Sequence, residues 1–246
     1  MHGSKKSTWA IETRRSPMLQ VNDYHVAYGQ SEVLHGLDFA LEDNEILAVM
    51  GRNGMGKSTL MKAVMGVIPS SGGSVRIDGT ELGGLKSHER VAAGLAFVPQ
   101  GRWIFSALTV EENIQTGLAV SGRKQVPDEI YELFPVLKEM RHRRGGNLSG
   151  GQQQQLAIAR ALATNPKVLL LDEPTEGIQP SIIREMARVL RRIRDEHGLA
   201  IVVSEQVVSF ALDVADRLLV LENGKIVHED PRDGVDEETI ASYLTV

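Results

Sequence analysis

One run of nine residues constrains this chain more than any other: Gly51-Arg52-Asn53-Gly54-Met55-Gly56-Lys57-Ser58-Thr59. It fits the spacing G-x-x-x-x-G-K-[ST]. The segment before it, 45–50, reads as a buried strand, and the segment after it, 58–68, is apolar nearly all round and reads as a buried helix. Glycines at 51, 54 and 56 let the backbone turn with its N–H groups facing inward, which makes an anion nest at a helix N-terminus. Lys57 adds a cation for terminal phosphates. The Ser58 hydroxyl suits a divalent cation, and Thr59 can bond a nearby phosphate. A strand, loop and helix in this order belong to an α/β core.

The rest of the chain supplies such a core. Residues 18–42 alternate like strands, with Leu37, Phe39 and Leu41 on one face and a break at Asp43-Asn44. A hairpin is expected over 74–82 around Asp78-Gly79, and a second over 217–229 on Asn223-Gly224. The short apolar runs 95–99, 168–172 and 200–204 are too continuous for a one-sided sheet and suit central parallel strands covered on both faces. Between the last two, Ile182, Ile183, Met186, Val189, Leu190 and Ile193 recur at helical spacing, and Gly198 fits the stop. Strand, crossover helix and strand make an α/β architecture. From about 105 to 165 strand signals vanish, so this stretch reads as a helical insertion. The folded part is expected over 18–246 as a single domain, with 1–17 a flexible leader or cloning remnant. Arg14-Arg15 lacks the apolar region of an export signal. Asn147-Leu148-Ser149, a glycosylation sequon by pattern, reads as chance in a chain without such a signal.

Composition narrows the partners. A net charge of −5 and 4% aromatic residues provide neither the basic field nor the stacking surface of a nucleic-acid binder. The absence of cysteine excludes disulfides and thiolate metal sites. No apolar run approaches the roughly 20 residues of a membrane-spanning helix.

Val168-Leu169-Leu170-Leu171-Asp172-Glu173-Pro174 is the expected companion of a phosphate loop. Asp172 ends a buried strand, where it can reach a metal through water. Glu173 sits one residue on, where it can polarise an attacking water. Ser149, Gly150 and Gly151 open a helix at 149–162 and offer a hydroxyl and backbone N–H groups to an anion, while Ser149 also reads as a simple N-cap.

The run Leu148-Ser149-Gly150-Gly151-Gln152 and its helix resemble the signature of the ABC ATPase family, and the likeness extends from about residue 20 to 230. The resemblance implies a P-loop NTPase (RecA-like) core with an antiparallel β subdomain and a helical insertion subdomain. It implies ATP and Mg²⁺ as cofactors, with residues 51–59 holding the phosphates and Ser58, Gln100 and Asp172 the metal. It implies two subunits meeting head to tail, so that Ser149, Gly150, Gly151 and Gln152 of one face the γ-phosphate held by the other. Tyr28 matches the aromatic that stacks on adenine. Gln100 leads into 101–113, the stretch that faces a membrane permease. Within it, Trp103, Ile104 and Phe105 fit that surface and the core of the helical insertion equally well. Lys57, Glu173 and Gln206 carry the chemistry. Gln206 stands where the family has a switch histidine; its amide can donate to a phosphate but cannot carry a proton.

The segments 100–105, 152–155 and 175–183, with Gln206, look like the branch serving branched-chain amino acid and urea importers, and 134–151 with 176–183 most resemble its urea-uptake subunit. The expectation is an importer's ATPase at the cytoplasmic face of the membrane, paired with a sister ATPase subunit in the cell or with a second copy of itself in isolation, and moving urea. A branched-chain amino acid importer is the alternative, followed by an ATPase acting outside transport.

Overall fold

A computed structural model describes residues 16–244. Arg14-Arg15 and most of the expected leader lie outside the described residues.

The alternating segments form an antiparallel sheet. β1 (Leu19–Tyr28) pairs with β2 (Ser31–Leu41), which buries Leu34, Leu37, Phe39 and Leu41. On its other side β1 pairs with β4 (Gly72–Ile77), which turns into β5 (Thr80–Glu81) through Asp78 and Gly79, both at positive φ. That backbone twist matches the strands of a two-residue hairpin.

The continuous apolar runs form the second sheet. β3 (Ile46–Met50), β6 (Leu95–Val98), β7 (Val168–Asp172), β8 (Ala200–Glu205) and β9 (Arg217–Glu222) run parallel, and β10 (Lys225–Pro231) closes the edge antiparallel, in the order β10-β9-β3-β8-β7-β6. Successive residues of one strand enter different cores, as a sheet covered on both faces requires. Val168 and Leu170 face the cluster shared with the antiparallel sheet, whereas Leu169 and Leu171 face the helices.

Helix α1 (Lys57–Val64) fills the space between the sheets with Leu60, Met61 and Val64. It stops at Val64, short of the 58–68 that its apolar character suggests. Gly66, at φ 73°, breaks it. Buried Arg90 of α2 (Ser87–Ala92), a helix the sequence reading leaves out, donates to the terminal carbonyls of Ala63 (3.0 Å) and Val64 (2.7 Å). A cation on the last carbonyls is a favourable helix stop.

The helical insertion holds α3 (Val110–Ser121), α4 (Asp128–Leu133), α5 (Pro135–Glu139) and α6 (Gly150–Leu162). Thr109 and Glu112 form a capping box at the start of α3. Asn113, fully buried, accepts from Phe105 N (2.8 Å) and donates to the carbonyls of Phe105, Leu108 and Thr109. It is the brace that folds 105–109 onto α3. Asn113→Ala leaves those backbone groups without their partner, and a loss of about 3 kcal/mol in chemical denaturation is expected; a loss below about 1 kcal/mol removes the brace role. Helix α7 (Pro180–His197) covers the helical side of the sheet and ends at Gly198, at φ 65°. Helices α8 (Val208–Val214) and α9 (Glu237–Leu244) pack on Ala48, Met50, Leu218 and Val220.

The β9–β10 turn reaches back to the antiparallel sheet. His35 N donates to Gly224 O (3.0 Å), and Gly224 N donates to Met55 O (3.1 Å). A Cβ at Gly224 would lie 1.9 Å from Val33 O, so only glycine permits this approach.

Candidate active site

The site lies at the C-terminal ends of β3, β7 and β8. Their ladder pairs Met50 with Glu205 and Asp172 with Ser204, which sets these ends at a common level. After Met50 the chain turns through 51–56 into α1. Gly56 holds φ 108°, and a Cβ there would meet Leu34 Cδ2 at 2.8 Å. No side chain caps α1, so its first-turn N–H groups are left for an anion.

Lys57, only 3% exposed, donates from Nζ to Gly51 O (2.7 Å) and Arg52 O (3.1 Å) and pairs with Glu173 Oε1 at 3.2 Å. Ser58 Oγ (3.0 Å) and Ser204 Oγ (2.6 Å) both donate to Asp172 Oδ1. Asp172 Oδ2 is buried and has no hydrogen-bond partner among the described residues. Glu173 adopts φ 46°, a conformation that costs a non-glycine residue on the order of 1 kcal/mol or more. Its N–H donates to Ser204 O (3.0 Å). Gln206 Nε2 donates to Glu173 Oε2 at 3.3 Å. The kink at Glu173 thus turns its carboxylate towards Lys57 and Gln206 and out of the strand direction.

A cavity of about 320 Å³ is lined by Asn53, Gly54, Gly56, Lys57, Ser58, Thr59, Gln100 and Glu173, with Val33 from β2. Arg52 and Gln206 line an adjoining depression with Asn53 and Leu244. Gln100 lies two residues beyond the end of β6. Tyr28 ends β1, is 52% exposed and does not line the cavity. Met55 packs outward, its sulfur accepting from Asn223 N (3.3 Å). Gly51 is pressed against Leu221, whose carbonyl oxygen would lie 2.5 Å from an added Cβ.

Ser149, Gly150, Gly151 and Gln152 do not line this cavity. Ser149 caps α6 reciprocally with Gln152 and is exposed. Gly151 abuts α7, where a Cβ would meet Ile182 Cγ2 at 2.7 Å. The helix start therefore faces outward while glycine lets it pack closely behind.

Trp103 (66% exposed) and Phe105 (50%) lie open on the surface, whereas Ile104 packs on the helical core. They border an apolar groove of about 720 Å³ together with Met65, Val91 and Phe97. Arg160 of α6 donates to Trp103 O (2.9 Å) and Arg102 O (3.3 Å) and lies over the Phe105 ring. Arg102 in turn donates to Glu176 O (2.7 Å). Burial lowers the pKa of the Arg160 guanidinium.

Sequence reasoning misses Ser204, Thr175 and Glu205. Glu205 is 1% exposed, and burial pushes its carboxyl up, opposed by hydrogen bonds from Thr175, Val207 and Gln206. The signal was a strand of buried apolar residues running straight into Ser204 and Glu205, where polar side chains need partners.

The "ABC transporter" family model matches residues 34–176, more than half of the chain. The branched-chain amino acid transport ATP-binding protein BraG of Pseudomonas aeruginosa is 42% identical over 216 residues, 87% of this chain and 92% of its own length. The chain belongs to the ABC transporter family. This ABC cassette is also similar to the lipopolysaccharide export ATP-binding protein LptB of Haemophilus influenzae, at 33% identity over 89% of this chain and 93% of LptB. Among solved structures, a dimeric ATP-binding cassette in a post-hydrolysis state with ADP and Pi superposes with a TM-score of 0.79 and 25% identity, covering 87% of this chain and 99% of that one. The ABC cassette is an ATP hydrolase with a P-loop core. Its donor set fits a hard divalent cation such as Mg²⁺: the unpartnered Asp172 Oδ2, the Ser58 hydroxyl and the Gln100 amide are all oxygen ligands. Among the described residues, no helix is long and apolar enough to cross a membrane.

Proposed function

We propose that this ABC cassette is the ATPase subunit of a urea importer, working at the cytoplasmic face of a membrane. The meeting of Lys57, Ser58, Gln100 and Glu173 in one cavity, with Asp172 bonded to Ser58 and Gln206 to Glu173, carries the ATPase part of this reading. Lys57 and the N–H groups of 51–59 hold the β- and γ-phosphates. Ser58, Asp172 and Gln100 would hold Mg²⁺, which when bound would neutralise phosphate charge. Tyr28, exposed and outside the cavity lining, is the side chain assigned to stack on adenine. Glu173 accepts a proton from water as the water oxygen bonds to the γ-phosphorus and the bridge to the β-phosphate breaks, leaving ADP and phosphate. Gln206 donates to the γ-phosphate and to Glu173. Ser149 to Gln152 of a second, sister subunit close over the γ-phosphate, so ATP binding draws the pair together and hydrolysis releases it.

The groove beside Trp103 and Phe105 supports docking of the permease along 101–113. Its cargo-independent chemistry leaves the solute to be argued from resemblance: 134–151 and 176–183 resemble urea-uptake subunits. The similarity to BraG favours a second reading, branched-chain amino acids. Reconstitution with its permease partners, followed by ATP-dependent uptake of labelled urea and leucine, decides between them. Urea accumulation above the ATP-free control supports the first reading, and leucine accumulation without urea overturns it.

A further inference from the structure

Glu205 has an arrangement that the chemistry above does not use. It is a buried carboxylate, and among the described residues none of its hydrogen bonds comes from a cation. Its Oε1 accepts from Thr175 N (3.0 Å) and Thr175 Oγ1 (2.6 Å). Its Oε2 accepts from Gln206 N (3.0 Å) and Val207 N (3.2 Å). One oxygen thus holds the loop that follows Glu173, and the other holds the loop that carries Gln206. Glu205 itself is fixed from below, because it pairs in the ladder with Met50, the last residue before the phosphate loop.

We propose that Glu205 is a positioning residue for ATP hydrolysis, setting the separation of Glu173 and Gln206 by clamping Thr175 and Gln206 to the same carboxylate. The contact between the two working side chains is a single bond of 3.3 Å. Without the clamp each loop end is free to drift, and a displacement of about 1 Å between reacting groups can cost up to a hundred-fold in rate. The carboxylate is required by hydrogen-bond counting. Three backbone N–H donors and one hydroxyl converge on two acceptor oxygens. An amide offers one oxygen, so in either orientation its NH₂ opposes at least one backbone N–H. Thr175 is buried at 5% exposure, and among the described residues its hydroxyl has no other hydrogen bond to hold it in place.

The inference rests on Glu173 and Gln206 acting as proposed above, and the experiment separates the two. Steady-state kcat and KM for Mg-ATP are measured on the full-length chain for Glu205→Gln, Thr175→Val, Gln206→Ala and the double variant Glu205→Gln/Gln206→Ala, with Glu173→Gln as control. Glu205→Gln is expected to lower kcat about tenfold with KM within about twofold, and the double variant to be no slower than the slower single one. Thr175→Val is expected to lower kcat in the same way, and carries the test if Glu205→Gln does not fold. An unchanged kcat in Thr175→Val, or losses that multiply in the double variant, overturn the clamp. If Glu173→Gln abolishes turnover while Glu205→Gln and Thr175→Val are silent, only this inference fails. If Glu173→Gln still turns over, the reading of the site itself fails.

Discussion

Glu173→Gln is expected to lower ATP turnover by at least about a hundred-fold while nucleotide binding and ATP-driven pairing persist. The amide fills the same volume and can keep a hydrogen bond with Gln206, which now stands 3.3 Å from Oε2. Lys57 loses its ionic partner but retains the carbonyls of Gly51 and Arg52, so the phosphate loop keeps its shape. What disappears is the capacity to take a proton from water. Single-turnover phosphate release, run beside binding of a fluorescent ATP analogue and sedimentation, separates these quantities. Hydrolysis close to that of the parent chain would exclude Glu173 as the base.

Ser149→Asp is expected to be nearly as damaging, for the opposite electrostatic reason. Aspartate is as good an N-cap as serine, so α6 starts as before and thermal unfolding shifts little. The added charge would face the γ-phosphate bound by the partner subunit, and like charges in close apposition cost several kcal/mol. ATP-driven pairing and cooperative hydrolysis should fall by about a hundred-fold or more. Ser149→Asn, which keeps the cap without the charge, should retain most activity. Equal losses in both variants would point to a steric role and remove the electrostatic argument.

Much of this was legible in the residues themselves. The buried strands β3, β7 and β8 announced themselves as unbroken apolar runs, and the glycines of 51–56 as a loop with inward N–H groups. The hairpins rested on Asp78-Gly79 and Asn223-Gly224, whose positive φ values confirm why those pairs were needed. The end of α1 was not legible, because its stop depends on Arg90, far along the chain and packed against it only in the fold. The Lys57–Glu173 and Gln206–Glu173 contacts were similarly hidden, since their spacing depends on the strand ladder and on a kinked Glu173. Glu205 escaped because a carboxylate at a strand end usually meets water, and only the fold buries it together with Thr175.

The ladder that pairs Met50 with Glu205 and Asp172 with Ser204 bears on how such engines diversify. Sliding any one of these strands by a residue would turn every side chain to the opposite core, so their heights are closed to gradual change. Residues 101–105 are tethered differently: Arg160 grips main-chain oxygens of Arg102 and Trp103, atoms that survive when side chains there are exchanged. Exchange of the outer side chains at 101–105 is therefore expected to leave this tether, and the strand ends behind it, in place.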